Sequence, residues 1–393
     1  MQPNGATETL DAAIRFTLRA GVPGAHLSVR APGAAADRWA GAAQEFDDAG
    51  RLHRPLTADT AHDLGSVTKI VGTTAMLMAL ASAGELSVDH RLDRFLDIGS
   101  QVSAGTTLRD LLTHRSGLWE WWPTYLEPAD PLATVLALPL RYPPRTGRHY
   151  SDLGFMILGR VVETVTGQRL PAALVDLVCG PLGIVGLQYG APPPDHPVAA
   201  SSRGDRIERQ MVSSGQPYPV RVDASGFDGW RERVLVGEVN DGNAFHAFGG
   251  AAGHAGLFGT VTALHQFGAA VLAARRREGA RPAAAGFFEV GPDPGQLLGF
   301  RSWRDSCAGC SAELIGHTGF PGIGLAVIPE HDATLVLATN RLHVDTEPAA
   351  FGPLWDAALA AGHRFLHSDS LQTDSLHTDS LHTDEGQAEW TYE

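Results

Sequence analysis

Of the 30 basic residues in this chain one is a lysine, Lys69, and the other 29 are arginines. An amine can give up its proton, whereas a guanidinium in practice cannot, so a surviving lysine marks a position where arginine does not serve. Lys69 ends the segment Gly65-Ser66-Val67-Thr68-Lys69, directly before an apolar run, which puts Ser66 and Lys69 three residues apart on one face of a helix start. A serine hydroxyl becomes a nucleophile when a base takes its proton, and the unpaired N–H groups of a helix N-terminus favour negative charge developing beside it. With 20 serines in 393 positions the spacing arises by chance roughly one time in twenty, so it is suggestive alone and needs partners.

Two segments supply them. His149-Tyr150-Ser151-Asp152-Leu153-Gly154 opens a helical pattern, and His317-Thr318-Gly319-Phe320 closes a strand-like one. In this order the chain resembles the β-lactamase-related serine hydrolases, which include class C β-lactamases, D-alanyl-D-alanine carboxypeptidases and esterases and are marked by S-x-x-K, Y-x-N and K-T-G elements. The stretches 111–118, 252–258, 322–324 and 340–341 add to the likeness, which spans about residues 7 to 365.

The resemblance implies that Ser66 attacks a carbonyl and is acylated, with Lys69 and Tyr150 handling the proton. It implies an oxyanion hole made by the backbone N–H groups of Ser66 and Phe320, and substrate contacts from Asp152, His317, Thr318 and Gly319. No cofactor or metal enters this reading. Two positions depart from the family pattern. Asp152 stands where many relatives have Asn; a carboxylate there favours the ammonium form of Lys69 and shifts the base role to Tyr150, whose phenol the ammonium is expected to lower from about 10. His317 replaces a lysine, and can hold a substrate carboxylate as a cation only below a pKa of about 6.5.

The elements that must position these groups follow from periodicity. A helix is expected at the N-terminus. His26–Ala31 and Arg38–Ala43 read as a hairpin, and Glu313–Gly316, Gly324–Ile328 and Thr334–Thr339 as strands. A last helix is expected over Phe351–Phe365, and helical periodicity over Thr107–His114, Leu153–Val165, Leu170–Cys179 and Val261–Arg277. The fold class expected is α/β (α+β), of the β-lactamase and penicillin-binding-protein type. One antiparallel sheet is built from both chain ends, about 1–65 and 285–366, with a mainly helical insertion over about 66–284. Residues 1–366 form the catalytic domain in this reading, and 367–393, with its repeated S-L-H/Q-T-D, a disordered acidic tail.

The net charge of −14 disfavours nucleic acid and anionic membrane surfaces. No run of 18 uninterrupted apolar residues predicts a membrane span, and the N-terminus lacks the pattern of a signal peptide, so the expected location is cytoplasmic. Three cysteines are too few for a disulfide framework; the C-A-G-C at 307–310 has the spacing of a redox or metal pair without its context. His246, His254 and His265 lack the spacing of a zinc site. Trp119–Tyr125 and Gly237–Phe245 are candidate cleft-lining segments, with packing and turn chemistry equally able to explain them.

The function expected is hydrolysis of an amide or ester through an acyl-enzyme, with a short peptide or muropeptide as substrate. Esterase and β-lactamase activity are the alternatives, and a penicillin-binding sensor that acylates without turnover is the reading from another class.

Overall fold

The computed structural model describes residues 5–46, 48–49, 54–98, 105–276, 282–307 and 310–368, leaving aside the side chains of 5–7, 282, 305–307, 310 and 311. The expected tail lies, beyond Ser368, outside the described residues, and so do the side chains of the C-A-G-C pair.

Seven strands form one antiparallel sheet: β1 (Gly24–Ala31), β2 (Ala34–Gln44), β3 (Arg54–Pro55), and, after more than two hundred residues, the last four. Of the five smaller strands described between them, β4 (His62–Asp63), β5 (Leu187–Tyr189) and β6 (Leu257–Gly259) make a separate sheet, and Ala200–Arg203 pairs with Val234–Val236. The closing four are β7 (Arg301–Cys307), β8 (Cys310–Gly319), β9 (Ile323–Ile328) and β10 (Ala333–Thr339). The order β3-β2-β1-β10-β9-β8-β7 joins the two chain ends through β1 and β10, with Ala25 opposite Thr339 and Arg30 opposite Thr334.

β10 is buried throughout, and its alternating side chains serve two cores. Leu335 and Leu337 pack with Leu10, Ile14, Leu359 and Phe365 from α1 (Gly5–Arg19) and a helix over Phe351–Leu366. Val336 and Ala338 join the opposite cluster, which includes Phe267 and Phe300 and extends into the helical region. Each fully buried Leu or Phe contributes roughly 1.5–3 kcal/mol, so β10 is fixed from both faces and with it the strands beside it.

The expected elements are present with small changes of boundary: the hairpin is 24–44, and the helices lie at Leu108–Leu112, Asp152–Thr166 and Val261–Arg276. The helix expected over Leu170–Cys179 is α-helical only to Leu174 and continues as a π-helical turn. Strand β7 was not expected, because R-S-W-R-D-S lacks the apolar alternation that marks a strand facing a core. Among the described residues, one continuous helical stretch, Gly65–Ala83, has the length and apolarity of a membrane span, with mean hydropathy 1.3. Within the protein 83% of it is buried, which makes it the central core helix.

Candidate active site

The central helix begins with a single 3-10 turn, Gly65–Val67, followed by a π-helical stretch, Lys69–Thr74, before it becomes α-helical at Ala75. Strand β4 leads into that turn and pairs with β6, with Leu64 N–H donating to Leu257 O at 2.9 Å. Asp63 Oδ1 accepts from Gly65 N–H at 2.9 Å, and Gly65 adopts φ +48°, a left-handed conformation that glycine reaches without strain. Ser66 is thereby presented at the start of a buried helix.

Lys69 is fully buried. Its ammonium donates to Ser66 Oγ at 2.8 Å and His254 O at 3.1 Å and forms an ion pair with Asp152 Oδ1 at 2.7 Å. A tetrahedral donor suits that set and a planar guanidinium does not, which accounts for the one lysine among 29 arginines. Burial pulls the Lys69 ammonium down, but the carboxylate of Asp152 and the phenol of Tyr150 outweigh it and raise the pKa above the usual lysine range. Lys69 is therefore a cation that donates to Ser66.

Tyr150 has the Lys69 ammonium 5.1 Å from its ring centroid, and both Lys69 and Ser66 favour its ionised phenol. Its ring lies between two imidazoles, 4.6 Å from His114 and 5.9 Å from His317, centroid to centroid. Burial raises its phenol; Lys69 pulls it down, and Asp152 pushes it up, with a net rise. This corrects the expectation of a lowered phenol: the ammonium acts in the expected direction but is outweighed, so the resting group is the neutral phenol.

The segment around His114 holds Tyr150 and Asp152 in place. His114 Nδ1 accepts from Ser151 N–H at 3.0 Å, Ser151 Oγ donates to Trp119 O at 2.6 Å, and Asp152 N–H donates to Glu120 O at 2.8 Å. Ser151 also caps the helix that Asp152 opens, accepting from Gly154 N–H at 3.2 Å.

The end of β8 reaches the nucleophile through two glycines. A methyl at Gly319 would fall 2.2 Å from Leu64 O and 3.5 Å from Ser66 N, and one at Gly65 would fall 3.2 Å from Phe320 N. The backbones carrying the Ser66 and Phe320 amides are thus in near contact. Arg341 fixes the second, donating from Nε and Nη2 to Phe320 O at 3.0 and 2.8 Å.

Ser66, Tyr150, Asp152 and Phe320 line a cavity of about 450 Å³ together with Trp121, Tyr218, Asn240 and Asp241. His317, Thr318 and Gly319 are not among its lining residues. His317 is 5% exposed, and burial, followed by the Lys69 charge, pushes its pKa down to about 3. Its Nδ1 lies 2.7 Å from Thr318 O, which requires the proton on Nδ1 and leaves Nε2 a lone pair without a partner. Of the roles the sequence leaves open for His317, a carboxylate-binding cation or a neutral or packing ring, the structure fits the neutral one: near neutral pH the ring is uncharged, and its free nitrogen is an acceptor.

Several site groups escaped the sequence reading. His254, weighed there only as a metal ligand, contributes its carbonyl to Lys69 while its Nε2 pairs with Asp241 Oδ1 at 2.9 Å. His246 pairs with Asp205, and His265 bridges Ser28 and Thr334. Asp63 left no signal beyond standing three residues before Ser66. Arg341 and His114 sat in stretches that supported the family likeness but carried no role.

A beta-lactamase family profile matches residues 9–358. The chain belongs to the beta-lactamase family, and it is a serine hydrolase of that fold. An N-acetylmuramyl-L-alanine amidase of Bacillus subtilis (strain 168) is 27% identical over 370 residues, covering 85% of this chain and 80% of the relative. A protein of Escherichia coli (strain K12) named as a candidate D-alanyl-D-alanine carboxypeptidase is 26% identical over 349 residues, 77% of this chain and 74% of the relative. The crystal structure of a class C beta lactamase from Rhodobacter sphaeroides superposes with a TM-score of 0.61 at 18% identity, over 94% of this chain and 99% of that one. The last similarity speaks to the fold alone.

Proposed function

We propose that Ser66 is the nucleophile of an acyl-enzyme hydrolase acting on amide or ester bonds, with Lys69 and Tyr150 as its proton-handling pair. The observation that carries the reading is the buried Lys69 ammonium, 2.8 Å from Ser66 Oγ and 2.7 Å from Asp152. Because Lys69 donates to Ser66, the serine's own proton is left for Tyr150. Loss of the phenol proton to solvent leaves a phenolate that the ammonium stabilises. As Oγ attacks the carbonyl carbon, the serine proton passes to the Tyr150 oxygen. When the tetrahedral intermediate collapses, the phenol passes it on to the leaving nitrogen or oxygen, which restores the phenolate. The carbonyl oxygen, negative in the tetrahedral intermediate, is received by the amides of Ser66 and Phe320, a contribution of about 3–4 kcal/mol for one such donor in other serine hydrolases.

Thr318 and Gly319 serve in this reading as the strand end that sets the Phe320 amide, and Asp152 as the charge that holds Lys69. Residues 1–366 act as one catalytic unit with 367–393 outside it. For substrate class, the names of the Bacillus subtilis and Escherichia coli relatives support a cell-wall-derived peptide or muropeptide. The test is intact-mass analysis after incubation with a fluorophosphonate and with a penicillin, using the native chain and Ser66→Ala. One covalent adduct on the native chain and none on Ser66→Ala is the expected result; an adduct on another residue overturns it. Turnover of muropeptides, p-nitrophenyl esters and nitrocefin then ranks the substrates, since pocket shape separates chemistries that share this machinery.

A further inference from the structure

We infer that the Ser66 cavity selects substrates carrying a protonated amine, against substrates carrying a carboxylate; this rests on Ser66 being the nucleophile. Asp63, Asp152, Asp205, Glu208, Asp241 and Glu347 are among the residues lining the cavity, the Asp205 side chain itself being fully buried, and among the described residues no lysine or arginine lines it. The two cations nearest these carboxylates are already committed. Lys69 serves Ser66, Asp152 and the His254 carbonyl. Arg231, itself buried, donates to Asp205 Oδ1 at 2.6 and 2.9 Å and to the carbonyls of Val239 and Asn240. Arg148 stands over the Tyr150 ring, 5.7 Å from its centroid, with Nε on Gln296, and does not line the cavity.

A second observation points the same way. Where the family's K-T-G element puts an ammonium beside the nucleophile, this chain has a 95% buried neutral imidazole whose Nε2 lone pair is unpartnered. A substrate carboxylate would find no cation there. Burial and then Asp241 push the Glu208 carboxyl up to about 8, and burial pushes Asp63 up to about 6, whereas at Asp205 and Asp241 burial is outweighed by His246 with Arg231 and by His254 and the carboxyls are held down. Between the carboxylates, Trp121, Met211 and Tyr218 give the wall apolar and aromatic surface. An ammonium on a short apolar chain fits such a lining, because the aromatic faces attract cations as well as alkyl groups.

The test needs no knowledge of the natural substrate. The rate of fluorophosphonate labelling of Ser66 is followed by intact mass in the presence of hexylammonium, hexanol or hexanoate. Protection should be at least tenfold stronger with hexylammonium than with hexanol, and weakest with hexanoate. Read at pH 9, where Glu208 is ionised and hexylammonium is still a cation, Glu208→Gln, whose amide can still meet both Tyr125 Oη and Gly242 N–H, should cut the ammonium advantage three- to tenfold. Hexanoate protecting as well as or better than hexylammonium overturns the inference, and the native chain alone decides it if the variant does not fold. Failure to label Ser66 at all would instead sink the catalytic reading.

Discussion

Asp152→Asn removes one charge from the site and leaves its shape, which makes it the sharpest probe of how the nucleophile is activated. Its Oδ1 lies 2.7 Å from a fully buried ammonium, and Asp152 itself is only 14% exposed. Two unit charges at that distance attract by about 6 kcal/mol at an effective dielectric of 20, and opposite charges this close shift a pKa by about 1–3 units in practice. In the native protein Asp152 raises both Lys69 and Tyr150. Without it burial dominates at Lys69, the lysine pKa falls, and the phenol falls with it. The rising limb of the acylation rate against pH is therefore expected to move toward acid by about 1–3 units. Acylation persists, because Ser66, Tyr150 and the two amides remain. Stability responds separately: a raised lysine pKa contributes stability that is complete below the unfolded value of about 10.4 and is lost as pH rises through the folded one. At pH 7 the variant should thus lose a few kcal/mol, less than the roughly 3–5 kcal/mol of an unpaired buried charge to the extent that the lysine sheds its proton. Stopped-flow acylation by a p-nitrophenyl ester from pH 5.5 to 9, with urea melts of both proteins, reads both effects. An unmoved limb, a limb moved toward alkali, or total loss of acylation in a folded variant would refute the account.

Gly319→Ala should lower kcat at least a hundredfold with little change in KM, because a methyl 2.2 Å from Leu64 O forces the Phe320 amide away from the carbonyl oxygen; steady-state kinetics on one ester checks it. Lys69→Arg should lose at least about a thousandfold in kcat/KM, since a guanidinium cannot match the partners of the ammonium; kinetics with a melting curve separates this from unfolding. His317 stays neutral, so KM for a neutral ester should be flat from pH 5.5 to 8.5, and a KM rising across pH 6.5 would show that the ring titrates after all. Acid lability should be steep. Burial pushes His62, His265 and His317 down to about 3 and His343 to about 4, and carries His114 in the same direction. Groups lowered on folding give stability present above about pH 6.5 and lost as pH falls. Asp63 and Glu208, raised on folding, offset two of those five protons, leaving about three, or about 4 kcal/mol per pH unit between pH 6 and 4.5. Urea midpoints across that range measure the slope.

The sequence made the nucleophile legible for a physical reason. In a chain where arginine has replaced lysine nearly everywhere, a site that needs a tetrahedral ammonium in a buried space stands out as the exception. The inner strands of the sheet were legible where alternation or continuous apolar runs mark them, as in Gly324–Ile328 and Thr334–Thr339. Strand β7 was not, because its residues pair at the sheet edge without an apolar face to betray them. The π-helical turns at 69–74 and 175–179 were invisible for a different reason: they change the helix by one residue per turn without changing which residue types are buried.

What periodicity cannot give is the sign of competing fields. From the residues alone, Lys69 beside Tyr150 argues for a lowered phenol, and His317 is open between a titrating cation and a neutral ring; burial, which depends on neighbours hundreds of residues away, outweighs the ammonium at Tyr150 and, together with it, keeps His317 neutral. The same holds for the carboxylates. Asp63, Glu208 and Asp241 are scattered over 179 positions of sequence and look like ordinary surface acids, yet the fold gathers them onto one wall beside the nucleophile. Replacing the strand lysine by a buried neutral histidine removes a cation from the position where a carboxylate-bearing substrate would need one. These two features point the same way: among the described residues neither the cavity lining nor the end of the strand offers a free cation, so the carboxylates that Lys69 and Arg231 leave unpaired keep their preference for a positively charged guest.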